Sequence, residues 1–229
     1  MTAGQDGGSA AAVFGARLPL AEEYARSLAT DAVVRGLIGP REAPRVWERH
    51  LLNCAVVAEL VPPDTPVTDV GSGAGLPGVA LALARPDLAV TLVEAKERAA
   101  AYLSEVVTLL GLTGQVTVVR SRAEDCAGRI QPAAVVAARA LAPLDRLAAW
   151  CLPLAAVGTG RVLALKGSSV EDEIATHAAA IHRLGGADPA VRSCGVGVLA
   201  EPTTVVEIRR ERELELVRPR SRHRGPRRR

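Results

Sequence analysis

Apolar residues along this chain recur with two different spacings, and the change from one to the other divides it. Between residues 18 and 62 the spacing is helical. One helix is predicted over 18–30. A second begins after Pro44, with Trp47, Leu51, Cys54, Ala55 and Ala58 along one side, and Pro62, Pro63 and Pro66 end it. From Val67 onward, short apolar runs of strand length alternate with helical stretches. The runs 67–70, 89–93, 116–119, 133–138 and 161–165 read as strands. Helices are predicted over 76–84, over 96–110, from Pro143 to 154, and through Ile174 and Ile181, and Gly111 supplies a stop signal for the second of these. The last two apolar stretches, 196–199 and 203–208, flank Glu201-Pro202 and predict an antiparallel hairpin. Residues 1–16 read as a flexible leader.

Alternation of this kind predicts an α/β fold with a doubly wound, Rossmann-like and mostly parallel sheet. With the hairpin added, seven strands result, the arrangement of the methyltransferase sheet. A single domain is expected over 17–210, with N-terminal helices over 17–62 and a cofactor-binding core over 66–210. A basic tail, 211–229, follows it.

Composition changes this picture only in detail. At 48% hydrophobic residues the chain is globular, but only five aromatics are present, so the core must be built from many small aliphatic contacts. Cys54, Cys126, Cys151 and Cys194 are far apart and the histidines are scattered, which predicts no metal site and buried, reduced thiols. The start lacks a basic, apolar signal, and the uncharged stretch 147–160 is too short to span a membrane. A cytoplasmic protein without membrane contact is expected. Net charge is +3, and nearly all of the basic excess sits at Arg218, Arg220, Arg222, Arg224, Arg227, Arg228 and Arg229. Such a run is either a nucleic-acid arm or a solvated end.

The densest chemical signal is Asp69-Val-Gly-Ser-Gly-Ala-Gly-Leu-Pro-Gly78, a glycine turn between a strand and a helix. Glycines there let a ligand approach the backbone, and the following helix offers free N–H groups to a negative group. Gly73, Gly75 and Gly78 also satisfy the dinucleotide pattern, with Glu94 near the place of a ribose-binding acid. This pair specifies an adenosine cofactor without saying which, and a nicotinamide-dependent oxidoreductase stays open. Asp69 before the first glycine and Ala123-Glu124-Asp125 after the third strand favour S-adenosylmethionine, with Asp69 at its methionine end and the later segment at its adenine.

Several spaced motifs then occur in one order. The glycine run, Arg49-His50-Leu51-Leu52 before it, Ser121-Arg122-Ala123-Glu124, Ala138-Arg139-Ala140, Trp150-Cys151 and Ala164-Leu165-Lys166-Gly167 together resemble the glucose-inhibited division protein B family, the ribosomal RNA small subunit methyltransferase G enzymes. Where that family often carries Asn-Leu-Thr before the Arg-His pair, this chain reads Gly36-Leu37-Ile38-Gly39-Pro40. The resemblance implies methylation of guanine N7 in 16S ribosomal RNA or the small ribosomal subunit, with S-adenosylmethionine as donor. It implies cofactor contacts at Gly71, Leu76, Ala123, Glu124 and Arg139.

Guanine N7 carries a lone pair and loses no proton on methylation, so neither a general base nor an enzyme nucleophile is expected. Pro-Cys, Asn-Pro-Pro and Asp-Pro-Pro motifs are lacking, which argues against pyrimidine C5 and exocyclic amine methylation. Arg139 and Lys166 end two strands and are candidates for orienting the substrate through O6 or phosphate. Lys166 is equally readable as a snorkelling strand-end lysine. His50 is expected to be structural. Another RNA or a small molecule stays open as the methyl acceptor.

Overall fold

Runs of Val, Leu and Ala with charge only at or near their ends can be buried on both faces, as central parallel strands require. In the computed structural model, which describes residues 5–167 and 170–213, such runs form one sheet. Its strands are β1 (Pro66–Val70), β2 (Ala89–Glu94), β3 (Val116–Arg120), β4 (Val135–Arg139), β5 (Arg161–Lys166), β6 (Ala190–Cys194) and β7 (Thr203–Arg209). Their spatial order is β3-β2-β1-β4-β5-β7-β6. The first five are parallel, and β7 runs antiparallel to both β5 and β6. The order reverses between β1 and β4, and the crevice beyond the carboxyl ends at such a switch point is where ligands bind.

Side chains alternate between two cores. In β5, Leu163 and Leu165 join the core on one face, while Val162 and Ala164 join that on the other. The first face is covered by α1 (Gln5–Phe14), α2 (Leu18–Ala29) and α3 (Asp31–Val34), with α4 (Asn53–Ala55), α5 (Gly78–Ala84) and α6 (Glu97–Leu109). After α7 (Ala123–Cys126), α8 (Leu144–Cys151) and α9 (Val170–Arg183) cover the second. Buried Leu, Val and Ala dominate both cores, and Tyr24 and Tyr102 are their largest fully buried side chains.

Three expectations are corrected. The flexible leader gives way to α1 from Gln5 onward, because the run Ala10-Ala11-Ala12 favours helix and Ala10 and Phe14 are buried. Phe14 meets Trp47 edge to face, with ring centroids 6.3 Å apart. The expected regular helix after Pro44 is π-helical over Val46–Leu52, α-helical over Asn53–Ala55 and 3-10 over Val56–Leu60. The first hairpin strand is Ala190–Cys194 and not 196–199. Gly195 and Gly197, at φ +78° and +79°, turn the chain after Cys194. That strand lies at the sheet edge with Arg192 and Ser193 exposed, so it lacks an apolar signature.

Among the described residues no helix is long and apolar enough to cross a membrane, and no cluster of His, Cys, Asp and Glu could hold a metal ion. The arginines from 218 to 229 lie outside the described residues.

Phe14→Ala should lower the unfolding free energy by about 3 kcal/mol in urea titrations. A leader that packs against nothing would leave the midpoint unchanged.

Candidate active site

Parallel register between β1 and β2 sets Asp69 opposite Leu92 and Val70 opposite Val93, so the two strands end side by side. Their ends bring the Asp69 and Glu94 carboxylates to one turn. Within it Gly71, Gly73 and Gly75 adopt φ of +70°, +56° and +98°, a region in which a side chain is strained. The N–H groups of Gly71 and Ser72 both donate to the Val93 carbonyl, at 2.8 and 3.2 Å, and Gly75 N–H closes the turn on the Ser72 carbonyl at 2.6 Å. Tyr24 from α2 reaches across to donate its hydroxyl to the Ala74 carbonyl at 2.8 Å.

Both acids hold the turn through backbone amides. Glu94 accepts Gly73 N–H at 2.9 Å on one oxygen and Lys96 N–H at 2.7 Å on the other. A carboxylate offers about four lone-pair positions, so acceptor capacity remains for ribose hydroxyls. Asp69 is fully buried. Its Oδ2 accepts Gly78 N–H at 3.0 Å, and its Oδ1 has no hydrogen-bond partner. Burial pushes this carboxyl up to about 7, against the lowering effect of the Gly78 amide. A Cβ at Gly78 would lie 2.7 Å from Asp69 Oδ2, which explains why that position cannot bear a side chain. The orphaned oxygen and the glycine cradle suit a ligand with a cationic donor near Asp69 and a diol near Glu94, which are the groups of S-adenosylmethionine.

Other expected site residues fall differently. Arg139, at the end of β4, turns its guanidinium onto the N-terminal helices. It donates to the Arg49 carbonyl at 3.0 Å and to Cys54 Sγ at 3.3 Å, and lies 2.6 Å from His50 Nδ1. Lys166, at the end of β5, donates to the Ala142 carbonyl at 3.0 Å and to Glu173 Oε1 at 2.7 Å. The same Glu173 oxygen accepts Leu144 N–H at 2.8 Å, so Lys166 braces the loop between β4 and α8. Leu141 of that loop lies over Gly71, where a Cβ would meet it at 2.3 Å. Leu76 points into the core, and its N–H donates to the Ser72 carbonyl at 3.1 Å. Ala123 is half-buried against the second core, and Glu124 is exposed. Their segment is tied to the site by Ser121 N–H, which donates to the Glu94 carbonyl at 3.1 Å.

Glu42, whose Oε2 lies 3.1 Å from His50 Nε2, and Glu173 and Leu141 were not anticipated. Glu173 lies four residues before His177 on α9, a spacing that signals a shared face but not its target.

Comparison with known proteins decides between the adenosine cofactors. The family described as rRNA small subunit methyltransferase G matches residues 17–200. A ribosomal RNA small subunit methyltransferase G from Salinispora tropica is 59% identical over 228 residues, covering 96% of this chain and 94% of that protein. One from Corynebacterium glutamicum strain ATCC 13032 is 52% identical over 206 residues, covering 89% and 92%.

The chain belongs to the rRNA small subunit methyltransferase G family.

The fold agrees. An O-methyltransferase from neocarzinostatin biosynthesis, solved with S-adenosylmethionine and 2-hydroxy-5-methyl naphthoic acid, superposes with a TM-score of 0.53 at 19% identity, covering 81% of this chain and 60% of that one. The methyltransferase G match includes the glycine turn, both carboxylates, Arg139 and Lys166.

Asp69 generates a pH prediction. Its folded carboxyl holds a proton that the unfolded chain gives up above about 4. Its stabilising effect is therefore complete below that value and lost as pH rises through about 7. In thermal or urea unfolding at pH 5 and 8, Asp69→Asn should remove a loss on the order of 3 kcal/mol. Parallel pH profiles for the two proteins would refute this.

Proposed function

We propose that this chain transfers the methyl group of S-adenosylmethionine to N7 of a guanine in 16S ribosomal RNA, presented as RNA or within the small ribosomal subunit. The observation that carries this reading is the glycine cradle with its two strand-end carboxylates, in a chain of the rRNA small subunit methyltransferase G family.

The sulfonium supplies an activated methyl group, so the protein has to align and desolvate the partners, worth about 7–11 kcal/mol when geometry is good. In this reading Gly73 gives backbone room, and Gly71 and Gly75 supply the left-handed turns that shape the cradle. Asp69 receives the amino end, and Glu94 receives the ribose hydroxyls. Ala123 and Glu124 border the adenine, Leu76 supports the turn, and Arg139 borders the methionine end. Lys166 shapes the acceptor side by bracing the loop that carries Leu141.

The remaining side chains suit a reaction without base or nucleophile. The buried Cys54 and Cys151 thiols are pushed up by burial, and Cys194 to about 11, so thiolate chemistry is disfavoured. With few aromatics, RNA contacts would come from arginines, through phosphates and stacked bases. We assign the tail arginines to phosphate contacts on the strength of their charge alone. Deleting the tail should flatten the log–log salt dependence of binding by roughly 0.7 for each phosphate that an arginine no longer neutralises.

The deciding assay follows label from S-adenosylmethionine into unmethylated small-subunit RNA and into intact particles, then identifies the nucleoside. Label should appear in 7-methylguanosine and fall at least tenfold with Glu94→Ala. Label in another nucleoside, or none on either substrate, would overturn the assignment.

A further inference from the structure

Among the described residues Arg139 is the one strand-end cation at the crevice that the N-terminal helices grip directly, and the grip has a defined protonation state. Its Nη2 meets both the Arg49 carbonyl, at 3.0 Å, and His50 Nδ1, at 2.6 Å, while Nη1 reaches Cys54 Sγ at 3.3 Å. A guanidinium has only donors, so His50 Nδ1 must present a lone pair. The imidazole is therefore neutral with its proton on Nε2, and that N–H donates to Glu42 Oε2 at 3.1 Å. Glu42 sets the tautomer, and the tautomer receives Arg139. His50 is 8% exposed, and the turn carrying it is π-helical, a conformation frequent at functional sites. Three of the five guanidinium N–H groups are engaged, which leaves two for a ligand.

We propose that His50 is a positioning residue for the cofactor: its neutral imidazole clamps Arg139 at the crevice, and protonating Nδ1 breaks the clamp and weakens cofactor binding. This rests on the reading of Arg139 as a cofactor contact.

Groups around the ring favour the neutral form. Burial and Arg139 from β4 hold its pKa below the usual imidazole range, and Arg49 adds to this, against the opposite pull of Glu42. Beyond Arg139 lie the Cys54 thiol of α4 and then Asp69 of β1, whose own titration near 7 is a competing source of pH dependence. Below an imidazole pKa lying under about 6.5, Nδ1–H would face the guanidinium, donor against donor.

The test measures S-adenosylmethionine Kd by calorimetry, and KM and kcat, from pH 5 to 8, on the full chain. It compares wild type with Arg139→Ala, His50→Leu and His50→Asn, whose Oδ1 is an acceptor that does not titrate. At pH 7.5, Arg139→Ala and His50→Leu should each weaken binding about tenfold, the effect of one charge-assisted hydrogen bond. His50→Asn should recover most of that loss. In wild type, Kd and KM should rise toward acid pH while kcat changes less, and His50→Asn should lack that rise.

An identical acid limb in wild type and His50→Asn would assign it elsewhere, Asp69 first, and overturn the proposal. Weakening by Arg139→Ala but not by His50→Leu would defeat the clamp alone, whereas unchanged binding by Arg139→Ala would defeat the cofactor reading beneath it. If His50→Leu fails to fold, the nitrogen-15 shifts of His50 in wild type decide. An unprotonated Nδ1 at pH 7.5 supports the clamp, and a protonated one ends it.

Discussion

Two carboxylates at neighbouring strand ends hold the turn on which this protein depends. Asp69 and Glu94 arrive together because β1 and β2 are parallel and in register, and each commits an oxygen to an amide of the glycine turn. A glycine-rich segment loses much conformational entropy on folding, and these charge-accepting contacts, with the Val93 carbonyl, offset that cost. Glu94 keeps acceptor capacity beyond its two amide bonds, so a group that shapes the cradle can also receive a ligand there. Asp69 is held at a disadvantage: one of its oxygens is buried with nothing to bond. A cationic ligand group would relieve that disadvantage, whereas an apolar residue in its place would leave the Gly78 amide unpaired.

The N-terminal helices are a structural part of the crevice. Tyr24 bonds into the glycine turn, and Arg139 ties β4 to the turn that carries Arg49 and His50. Helical packing on one face of the sheet is thus coupled to the position of a strand-end cation. On the other face, Glu173 ties Lys166 to the loop between β4 and α8, and Leu141 of that loop rests on Gly71. Cations that a sequence reading assigns to substrate are anchored by protein partners in this structure, which makes them fixed features of the cradle wall.

Most of the sheet was legible because β1 to β5 are buried runs bounded by turn residues, and burial on both faces writes itself into composition. The glycine turn and its two acids were legible for a related reason: positive φ and close backbone approach restrict residue choice to glycine. The edge strand β6 was not legible. Its residues face solvent and its pairing comes from β7, so no local apolar signal marks it. Helix α1 was missed because Phe14, buried at its end, gains its meaning from Trp47, far along the chain.

What the sequence by itself determined is therefore the alternating fold, the glycine turn with its two acids and, through several motifs in one order, the family. These depend on short-range constraints: periodicity, capping and the steric needs of a turn. Only the tertiary structure decided the partners of Arg139, Lys166 and His50, and the orphaned oxygen of Asp69. Those depend on residues as much as 90 positions apart meeting at one crevice, and side-chain hydrogen bonds over such separations leave no pattern in a single chain.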